Sequence, residues 1–458
     1  MRARARAPDP GRDAVSPVTG APGDCDLLIV GAGEVWSPAA APADGAAGLT
    51  AGAVGGALQE TPVVIPGGAV AIVGDRIVAV GPGAELERRW RPRETLDAGG
   101  GAVTPSFCDP HTHLAFGGWR GEEFAARVAG RPLPAGPGRG ISRTVERTRK
   151  TPDAELKALI RGRLDRCLHN GVTLLEAKSG YGLTVEDELR LLRLTRAAAA
   201  GHPVEVVTTV LAAHALPPGY AARAPAYLDE VAWPVARAAH EQSLAQFVDA
   251  FVEEGAFTAE EVEPYLRRAR DLGLGIRIHA DQLTHGGGAR LAARLGAATA
   301  EHLERATAAD AQALAEAGTV AVLLPGAALT VDGRGGARPP TAALLAAGVP
   351  IALATDFNPG TSTVASPALC LGLACRLFGL SPEAAWTAFT ANAAASLGRG
   401  RSHGRVAAGY RAELCVWEVP RARDVAYLLD AHRPRKVIAG GRVREQGPVP
   451  WSLTGEGE

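Results

Sequence analysis

The segment CDPHTHLAF, residues 108–116, ends an apolar run and carries two histidines that are separated by one residue. In an extended chain, side chains at positions i and i+2 point to the same face, so His111 and His113 can present two ring nitrogens to one point. Imidazole nitrogens are common ligands of transition metals such as Zn²⁺. A pair of surface histidines in a loop is the alternative for so short a motif.

Other polar side chains follow apolar runs further along the chain, each near the carboxyl end of its run. They are Lys178, His214, Glu253, Glu254, His279, His302 and Asp356. One such residue would mean little, because a core histidine bonded to a backbone carbonyl is common. Five histidines and one aspartate in matching positions are difficult to obtain by chance. We therefore expect a fold that brings the ends of these runs together.

Eight apolar runs typical of buried strands alternate with helical patterns in the middle of the chain. The runs are residues 102–113, 171–178, 204–214, 247–255, 273–281, 298–304, 319–326 and 350–360. Eight strand–helix repeats predict an α/β fold of the (β/α)8 or TIM barrel type. An open doubly wound sheet is the alternative, but it usually has a Gly-rich phosphate loop after its first strand, and the sequence has none there.

In such a barrel the carboxyl ends of the strands meet at one face, where the chemistry takes place. We assign a metal site to His111, His113, His279 and Asp356. Three imidazoles and one carboxylate suit one Zn²⁺ per chain, with iron as the second choice. A metal lowers the pKa of a bound water, and Asp356 or His302 would take its proton as the catalytic residue. The sequence leaves both the metal and the proton acceptor open.

Short β-rich segments flank the barrel pattern at both ends of the chain. Residues 69–81 predict a hairpin that turns at Gly74-Asp75, and similar runs with glycine turns follow residue 404. We expect the two ends to pair into one small composite β-sandwich. The predicted division is a disordered tail over 1–23, a sandwich from 24–102 and 401–458, with an Ala/Gly/Pro-rich loop or insertion over 38–68, and a barrel over 103–400.

The composition of the chain indicates which kinds of partner to expect. The formal net charge is −1, with both signs interspersed, so nothing favours nucleic acid or an anionic membrane. No run of about 20 apolar residues predicts a membrane span, and the N-terminus lacks the apolar core of a signal peptide. The six cysteines are scattered without a C-x-x-C pair, which is typical of reduced thiols. We expect a cytoplasmic protein with a small-molecule substrate.

The sequence resembles the amidohydrolase superfamily in the order of these residues along the predicted strands. That order is H-x-H on the first strand, His on the fifth and sixth, and Asp on the eighth. This resemblance implies metal-dependent hydrolysis and suggests a homodimer. Binuclear members carry a bridging Lys on the fourth strand, and FVDAFVEEG at 247–255 has none, so one metal is implied. Lys178 lies on the second strand, and we expect it to pair with a carboxylate such as Glu176 or with a substrate oxygen.

Within that superfamily, the segments HTHLAFGGWR, KSGYGLT and DFNPGTS resemble the members that hydrolyse 4-imidazolone-5-propanoate to N-formimidoyl-L-glutamate in histidine breakdown. The resemblance covers about residues 103–400. It implies that Arg120 binds the propanoate carboxylate, for which a guanidinium is well suited. The other implied substrate contacts are Tyr181, His214, Asn358, Gly360 and Thr361. A surface position for Arg120 and a plain turn at Pro359-Gly360 are the alternatives.

Gln282 lies three residues after His279, where deaminases of this superfamily have a glutamate. An amide can hydrogen-bond but cannot shuttle a proton, so we expect Gln282 to bind substrate, which disfavours deamination. Another amidohydrolase acting on a different ring stays a rival interpretation. A non-catalytic barrel is a second rival, but such relatives typically lose metal ligands, and all four are present here.

Overall fold

The structure is a computed structural model that describes residues 23–41, 48–131, 140–332, 336–430, 433–445 and 447. The predicted disordered tail over 1–23 lies outside these residues, except for Gly23. The described residues form three β-sheets with helices around them, and all six cysteines are free. No helix in this part of the chain is long and apolar enough to cross a membrane.

The strands fall into three groups along the chain. The first group is β1 (Gly23–Val30), β2 (Glu34–Ser37), β3 (Val63–Pro66), β4 (Gly68–Val73), β5 (Arg76–Pro82), β6 (Trp90–Asp97) and β7 (Val103–Pro105). The second is β8 (Phe107–Asp109), β9 (Val172–Lys178), β10 (Glu205–Ala213), β11 (Phe247–Val252), β12 (Gly275–Ala280), β13 (Thr299–His302), β14 (Val320–Leu323) and β15 (Ile351–Leu353). The third is β16 (Leu414–Val416), β17 (Lys436–Ala439) and β18 (Arg442–Arg444).

The second group forms an eight-stranded parallel sheet in which neighbours in sequence are neighbours in space. The sheet closes on itself just beyond its first and last strands. Asp356 N donates to His111 O at 3.0 Å, His113 N donates to Phe357 O at 3.0 Å, and Thr112 forms a parallel bridge with Phe357. The predicted (β/α)8 barrel is therefore confirmed.

Sixteen α-helices lie along the described residues, and most of them cover the outside of the barrel; the first packs on β4 and β5 instead. They are α1 (Gly83–Arg89), α2 (Gly121–Val128), α3 (Ile141–Lys150), α4 (Asp153–His169), α5 (Val185–Ala199), α6 (Ala224–Tyr227), α7 (Trp233–Glu241), α8 (Ala259–Asp271), α9 (Gly288–Leu295), α10 (Ala308–Ala317), α11 (Pro325–Asp332), α12 (Thr341–Ala346), α13 (Pro367–Phe378), α14 (Pro382–Thr387), α15 (Ala393–Ser396) and α16 (Ala422–Tyr427). Their apolar faces pack on the strands; α4, for example, buries Leu156, Ile160 and Leu164.

The flanking strands form two further sheets, with orders β5-β4-β1-β6 and β18-β17-β16-β7-β2-β3. The second sheet joins both ends of the chain, since β16 pairs antiparallel with β7. One apolar core lies between the two sheets and includes Leu27, Ile72, Val103, Leu414 and Ile438. The composite β-sandwich that the sequence predicts is thus confirmed.

The single run predicted over 102–113 is two strands in two sheets. Ser106 N donates to Glu413 O, whereas Phe107 N donates to Gly171 O, so the chain changes sheet between these residues. As a result, β7 belongs to the flanking sheet although it lies within the range 103–400 that the sequence assigns to the barrel.

The Ala/Gly/Pro-rich stretch over 38–68 is not a loop throughout. Residues 63–66 form β3, which pairs antiparallel with β2. Short 3-10 turns lie at Gly48–Thr50 and Gly56–Glu60, while residues 42–47 are outside the described part of the chain. The side chain of Gln59 is fully buried and donates to Ile351 O at the start of β15, so this stretch packs on the barrel.

Candidate active site

The four predicted metal ligands meet at the carboxyl ends of the barrel strands. His111 and His113 follow β8, His279 lies in β12, and Asp356 follows β15. The Nε2 atoms of His111 and His113 are 3.2 Å apart, and Oδ1 of Asp356 lies 3.4 Å and 3.5 Å from them. Ring nitrogens of all three histidines lie within 4.8 Å of one another, and all four side chains are buried.

These separations fit a tetrahedral metal ion. Ligand atoms about 2.0–2.1 Å from Zn²⁺ in a tetrahedral site lie about 3.3 Å from one another. The separations among His111, His113 and Asp356 are close to that value. The donor set, which combines imidazole nitrogens with a carboxylate oxygen, also suits a divalent transition metal.

Two buried carboxylates fix the direction of the histidine rings. Nδ1 of His111 lies 2.6 Å from Oε2 of Glu301, and Nδ1 of His279 lies 2.9 Å from Oδ2 of Asp249. Because each Nδ1 faces a carboxylate, the Nε2 atom of the same ring is the nitrogen left to face the ligand set. Carboxylates that accept from a ligating imidazole in this way also raise its basicity as a ligand.

A buried ion cluster lies beneath the ligands and was not predicted from the sequence. Nζ of Lys178 is 2.7 Å from Asp249, 2.9 Å from Glu176 and 3.0 Å from Glu301. Arg277 adds a second cation, at 2.8 Å from Glu176 and 2.7 Å from Glu301. All five side chains are fully buried. The pairing of Lys178 with Glu176 is the one expected; its pairing with Asp249 and Glu301 is new.

The protonation of this region follows from burial and charge. Burial alone would lower the pKa of Lys178, but Asp249, Glu176 and Glu301 raise it above its ordinary value. Burial also opposes a charge on His111, but Glu301 and Asp356 together outweigh it and raise the pKa of His111 to about 9, so a metal ion would displace a proton from this ring. For His279, burial dominates and lowers the pKa to about 3, so this ring is neutral and has a nitrogen lone pair for a metal.

A cavity of about 570 Å³ opens beside the ligands. The predicted site residues in its wall are His113, Arg120, Tyr181, His214, His279, Gln282, His302, Asp356, Asn358 and Thr361. Gly360 is not in the wall but lies directly against Arg120, as described below. The structure thus brings together residues from the carboxyl ends of six barrel strands, which are far apart in the sequence.

The chain is similar to known proteins along most of its length. Residues 133–444 match the model of the amidohydrolase family, and residues 68–91 match that of the imidazolonepropionase-like composite domain of bacteria. The imidazolonepropionase of Roseobacter denitrificans is 45% identical over 80% of this chain and 92% of its own length. That of Symbiobacterium thermophilum is 42% identical, over 93% and 98%. This chain belongs to the imidazolonepropionase family.

Solved structures with the same fold are more distant in sequence. A zinc-bound adenosine deaminase from Xanthomonas campestris has a TM-score of 0.63 at 20% identity and covers 92% of this chain and 93% of its own. A triazine hydrolase variant has a TM-score of 0.68 at 18% identity, over 93% and 96%. These similarities support the fold. Together with the ligand set, the amidohydrolase family indicates a divalent metal in this imidazolonepropionase family member.

Arg120 lies inside the cavity of this family member and is not a surface residue. Its guanidinium covers Gly360 so closely that a Cβ atom there would lie 0.9 Å from Nη2. Its Nε is 3.9 Å from Oε2 of Glu123. Glu123 and Arg127 also line the cavity, and sequence reasoning missed both. Their spacing from Arg120 along α2, three and seven residues, was the available signal, since such residues share one helix face.

The loop after β15 uses Asn358 to hold its own shape. Oδ1 of Asn358 accepts from the N–H groups of Gly360 and Thr361, both at 2.8 Å. Its Nδ2 donates to Asp356 O at 2.6 Å and to Thr361 Oγ1 at 2.9 Å. The Pro359-Gly360 turn is therefore an organised part of the cavity, and the amide of Asn358 already has partners within the loop.

His302 and Asp356 both adopt left-handed backbone conformations, with φ of 77° and 52°. Such values are costly for residues other than glycine and tend to occur at functional sites. The His302 ring is centred 5.3 Å from that of His279, and its Nδ1 lies 3.8 Å from Oε2 of Glu304. His302 therefore stands next to the ligand set, as the sequence predicts.

Glu253, at the end of the fourth barrel strand, has a structural role in the loop that carries Gln282. Its carboxylate accepts from Leu283 N at 2.8 Å and from the side chain of Thr284. Its neighbour Glu254 donates its own N–H to Oε1 of Glu253 at 2.9 Å. The two glutamates thus shape the wall beside Gln282 without joining the metal ligands.

Proposed function

We propose that this chain hydrolyses the ring C–N bond of 4-imidazolone-5-propanoate to give N-formimidoyl-L-glutamate, a step of histidine degradation, with one Zn²⁺ or iron ion per chain. The observation that carries the proposal is 42–45% identity to imidazolonepropionases over most of the chain, together with a complete ligand set beside the cavity. Gln282 in that cavity disfavours deamination, because an amide cannot deliver a proton.

His111, His113, His279 and Asp356 would hold the metal. A bound divalent ion lowers the pKa of a water, so that attack on a carbonyl becomes possible near neutral pH. Asp356 and His302 are the candidates for taking the proton, because both line the cavity beside the other ligands. Burial opposes the charge of Asp356, but the neighbouring histidines, His111 first among them, lower its pKa, so the carboxylate is ionised and available to a metal ion.

Arg120 would pair with the propanoate carboxylate, and Tyr181, His214 and Gln282 would contact the ring. The reaction then balances as a simple hydrolysis. The water oxygen forms a bond to the ring carbonyl carbon, and the bond from that carbon to the ring nitrogen breaks. The proton that the base removed returns to the leaving nitrogen, the second proton of the water is released to solvent, and a carboxylate is left on the carbon side.

The test uses purified full-length protein. Imidazolonepropanoate is generated in the cuvette with urocanase, its ultraviolet absorbance is followed against spontaneous decay, and the same sample is analysed for metal. We expect faster decay, formation of formimidoylglutamate and about one metal ion per chain. Bound metal without faster decay would contradict the substrate while leaving the metal site intact.

A matched pair of histidine variants distinguishes loss of a metal ligand from general destabilisation of the protein. His111→Ala removes one ligand and should lose both bound metal and activity. His240→Ala changes an exposed histidine on α7 and should keep both. Equal behaviour of the two variants would contradict the assigned ligands.

A homodimer and a cytoplasmic location complete the proposal. Both rest on the family resemblance and the composition. Analytical ultracentrifugation of the purified chain tests the first, and a mass near that of a monomer at micromolar concentration would contradict it.

A further inference from the structure

A buried glutamate on α5 bonds to the backbone of the loop between β9 and α5. Oε2 of Glu188 accepts from Gly180 N at 2.8 Å. Its Oε1 accepts from Gly182 N at 2.7 Å and from Leu183 N at 2.8 Å. The side chain is fully buried and does not line the cavity, so it cannot touch a substrate there.

The same loop carries one group that faces the cavity and bonds to a second one, which follows β10. Tyr181 lies between the bonded residues, and its ring is part of the cavity wall. The carbonyl oxygen of Gly180 lies 3.0 Å from Nδ1 of His214 on the next strand. A carbonyl can only accept, so Nδ1 of His214 carries the proton, and Nε2 of the neutral ring is left as an acceptor.

The loop needs this support because its backbone is unfavourable without it. Leu183 has a φ of 55°, a conformation that is unfavourable for a residue other than glycine. Gly182 approaches α5 so closely that a Cβ atom there would lie 2.5 Å from Glu188 N. Hydrogen bonds from backbone N–H groups to a buried carboxylate are among the stronger ones and can offset such a cost.

Helix capping does not explain Glu188. The start of α5 is capped separately, since the Thr184 side chain accepts from Asp187 N at 3.1 Å. The carboxylate of Glu188 instead points back to the loop that precedes the cap.

We propose that Glu188 is a positioning residue that holds Tyr181 and His214 in place for substrate binding. It acts through the loop of residues 179–183. This inference rests on the proposed function, because it concerns the substrate cavity of that reaction.

The variant Glu188→Gln keeps the shape of the side chain and replaces one oxygen by an NH₂ group. The NH₂ group faces one backbone N–H in the place of Oε2 and two in the place of Oε1, so at least one of the three bonds becomes a clash of donors. We expect KM to rise by about 10-fold or more, kcat to change by less than about threefold, and the metal content to stay at the wild-type level. An unchanged KM would overturn the proposal, as would a parallel loss of kcat and metal.

The matched control is Glu186→Gln, two residues earlier on α5. It removes the same charge from the same helix, but at an exposed position that faces away from the loop's hydrogen bonds to Glu188. We expect its KM to stay within about twofold of wild type. A rise equal to that of Glu188→Gln would assign the effect to lost charge and would overturn the role of the loop.

A double-mutant cycle tests whether Glu188 acts through the ring of Tyr181. Tyr181→Ala is combined with Glu188→Gln, and KM is measured for all four proteins. We expect the effect of Glu188→Gln on KM to shrink by at least about threefold when the ring is already absent. Fully additive effects would overturn the proposed link.

Hydrogen exchange tests the role of Glu188 without measuring the proposed reaction. The backbone amides of Gly182 and Leu183 should exchange at least about 10-fold faster in Glu188→Gln than in wild type, with no substrate present. Absence of activity in the wild type would contradict the proposed function only, whereas unchanged exchange would overturn the role of Glu188. If Glu188→Gln does not fold, Gly182→Ala disturbs the same contact from the loop side, and a wild-type KM in that variant would overturn the proposal.

Discussion

The contact between Gly360 and Arg120 determines where the cavity can hold a carboxylate. Because any Cβ atom at position 360 would overlap the guanidinium, Gly360→Ala should displace Arg120. We expect KM to rise by about 10-fold or more, with a smaller change in kcat, since the misplaced group binds substrate and does not take part in bond breaking. Steady-state kinetics with imidazolonepropanoate measure both constants.

Gly162→Ala is the control for this substitution. Gly162 lies within α4, and a Cβ atom there meets nothing within 4 Å. Alanine in a helix interior should raise the free energy of unfolding by about 0.5–1 kcal/mol and leave KM unchanged. If Gly360→Ala also left KM unchanged, the proposed role of Arg120 would be wrong.

Lys178 is one of two cations that neutralise the carboxylates behind the metal ligands, and it contacts all three of them. Lys178→Met leaves Asp249, Glu176 and Glu301 without their shared partner in the barrel interior. We expect the free energy of unfolding to fall by about 3–5 kcal/mol, as for other broken buried pairs, and less metal to be bound. Urea unfolding and metal analysis measure the two effects.

The exposed Lys150 offers the comparison for Lys178. It forms a surface pair with Glu146 at 2.7 Å, and such pairs contribute about 0–1 kcal/mol. Lys150→Met should therefore change stability little and metal content not at all. Wild-type stability and metal content in Lys178→Met would refute the importance of the cluster.

At the level of elements, a carboxylate at the start of α10 stabilises the fold, and its contribution to the free energy of unfolding changes with pH. Burial by itself would raise the pKa of Asp310, but hydrogen bonds from Thr307 and Arg290 outweigh it and lower the pKa to about 2. A folded-state pKa below the unfolded value means that the stabilisation is present above about pH 4 and is lost as the pH falls towards 2.

We therefore expect Asp310→Asn to lower the free energy of unfolding by about 2 kcal/mol at pH 6, with a smaller difference from wild type at pH 3. Urea titrations at the two pH values measure the difference. Glu316→Gln, at the exposed end of the same helix, is the control and should show no such pH dependence. A difference for Asp310→Asn that is equal at both pH values would contradict the assignment.

The barrel could be predicted from the sequence because buried parallel strands appear as continuous apolar runs. The ends of these runs, such as His279 and His302, then located the site. The strands are shorter than predicted, because the chain leaves the sheet to turn its last residues towards the cavity. The change of sheet at Ser106 was missed, since both halves of that run are apolar and no residue type distinguishes the two sheets.

The charged residues inside the barrel were not predicted either. Asp249, Arg277 and Glu301 lie in buried strands, where a charge is normally unfavourable. Arg277 is two residues before His279, so period-2 alternation could have placed both on the inner face. The contact with Lys178 could not have been found, because it depends on which strands become neighbours.

At the scale of the whole molecule, Asn392 connects the N-terminal segment to the lower end of the barrel. Its Nδ2 donates to Val54 O and Ile351 O, both at 2.8 Å, and its Oδ1 accepts from Val54 N at 2.8 Å. All these atoms are buried. Ile351 begins β15, at the opposite end of the strand from Asp356.

We expect Asn392→Ala to lower the free energy of unfolding by about 2–4 kcal/mol, because buried backbone groups lose their partners. KM and metal content of the folded protein should stay at wild-type values, since the cavity is at the other end of the barrel. Urea unfolding and steady-state kinetics measure these quantities. Gln312→Ala, on an exposed face of α10, is the control. A raised KM in Asn392→Ala would show that the two ends of the barrel are coupled.

The closure of the barrel joins residues that are far apart in the chain. Asp109 accepts from Thr355 N at 3.0 Å, across 246 positions of sequence. The three histidine ligands precede residue 280 in the chain, whereas the carboxylate ligand, Asp356, follows the last barrel strand. During synthesis on the ribosome, the growing chain can thus have every imidazole in place and still lack a complete set of ligands. Metal capture would then occur late, after most of the polypeptide has emerged, and a prematurely terminated product would stay inactive.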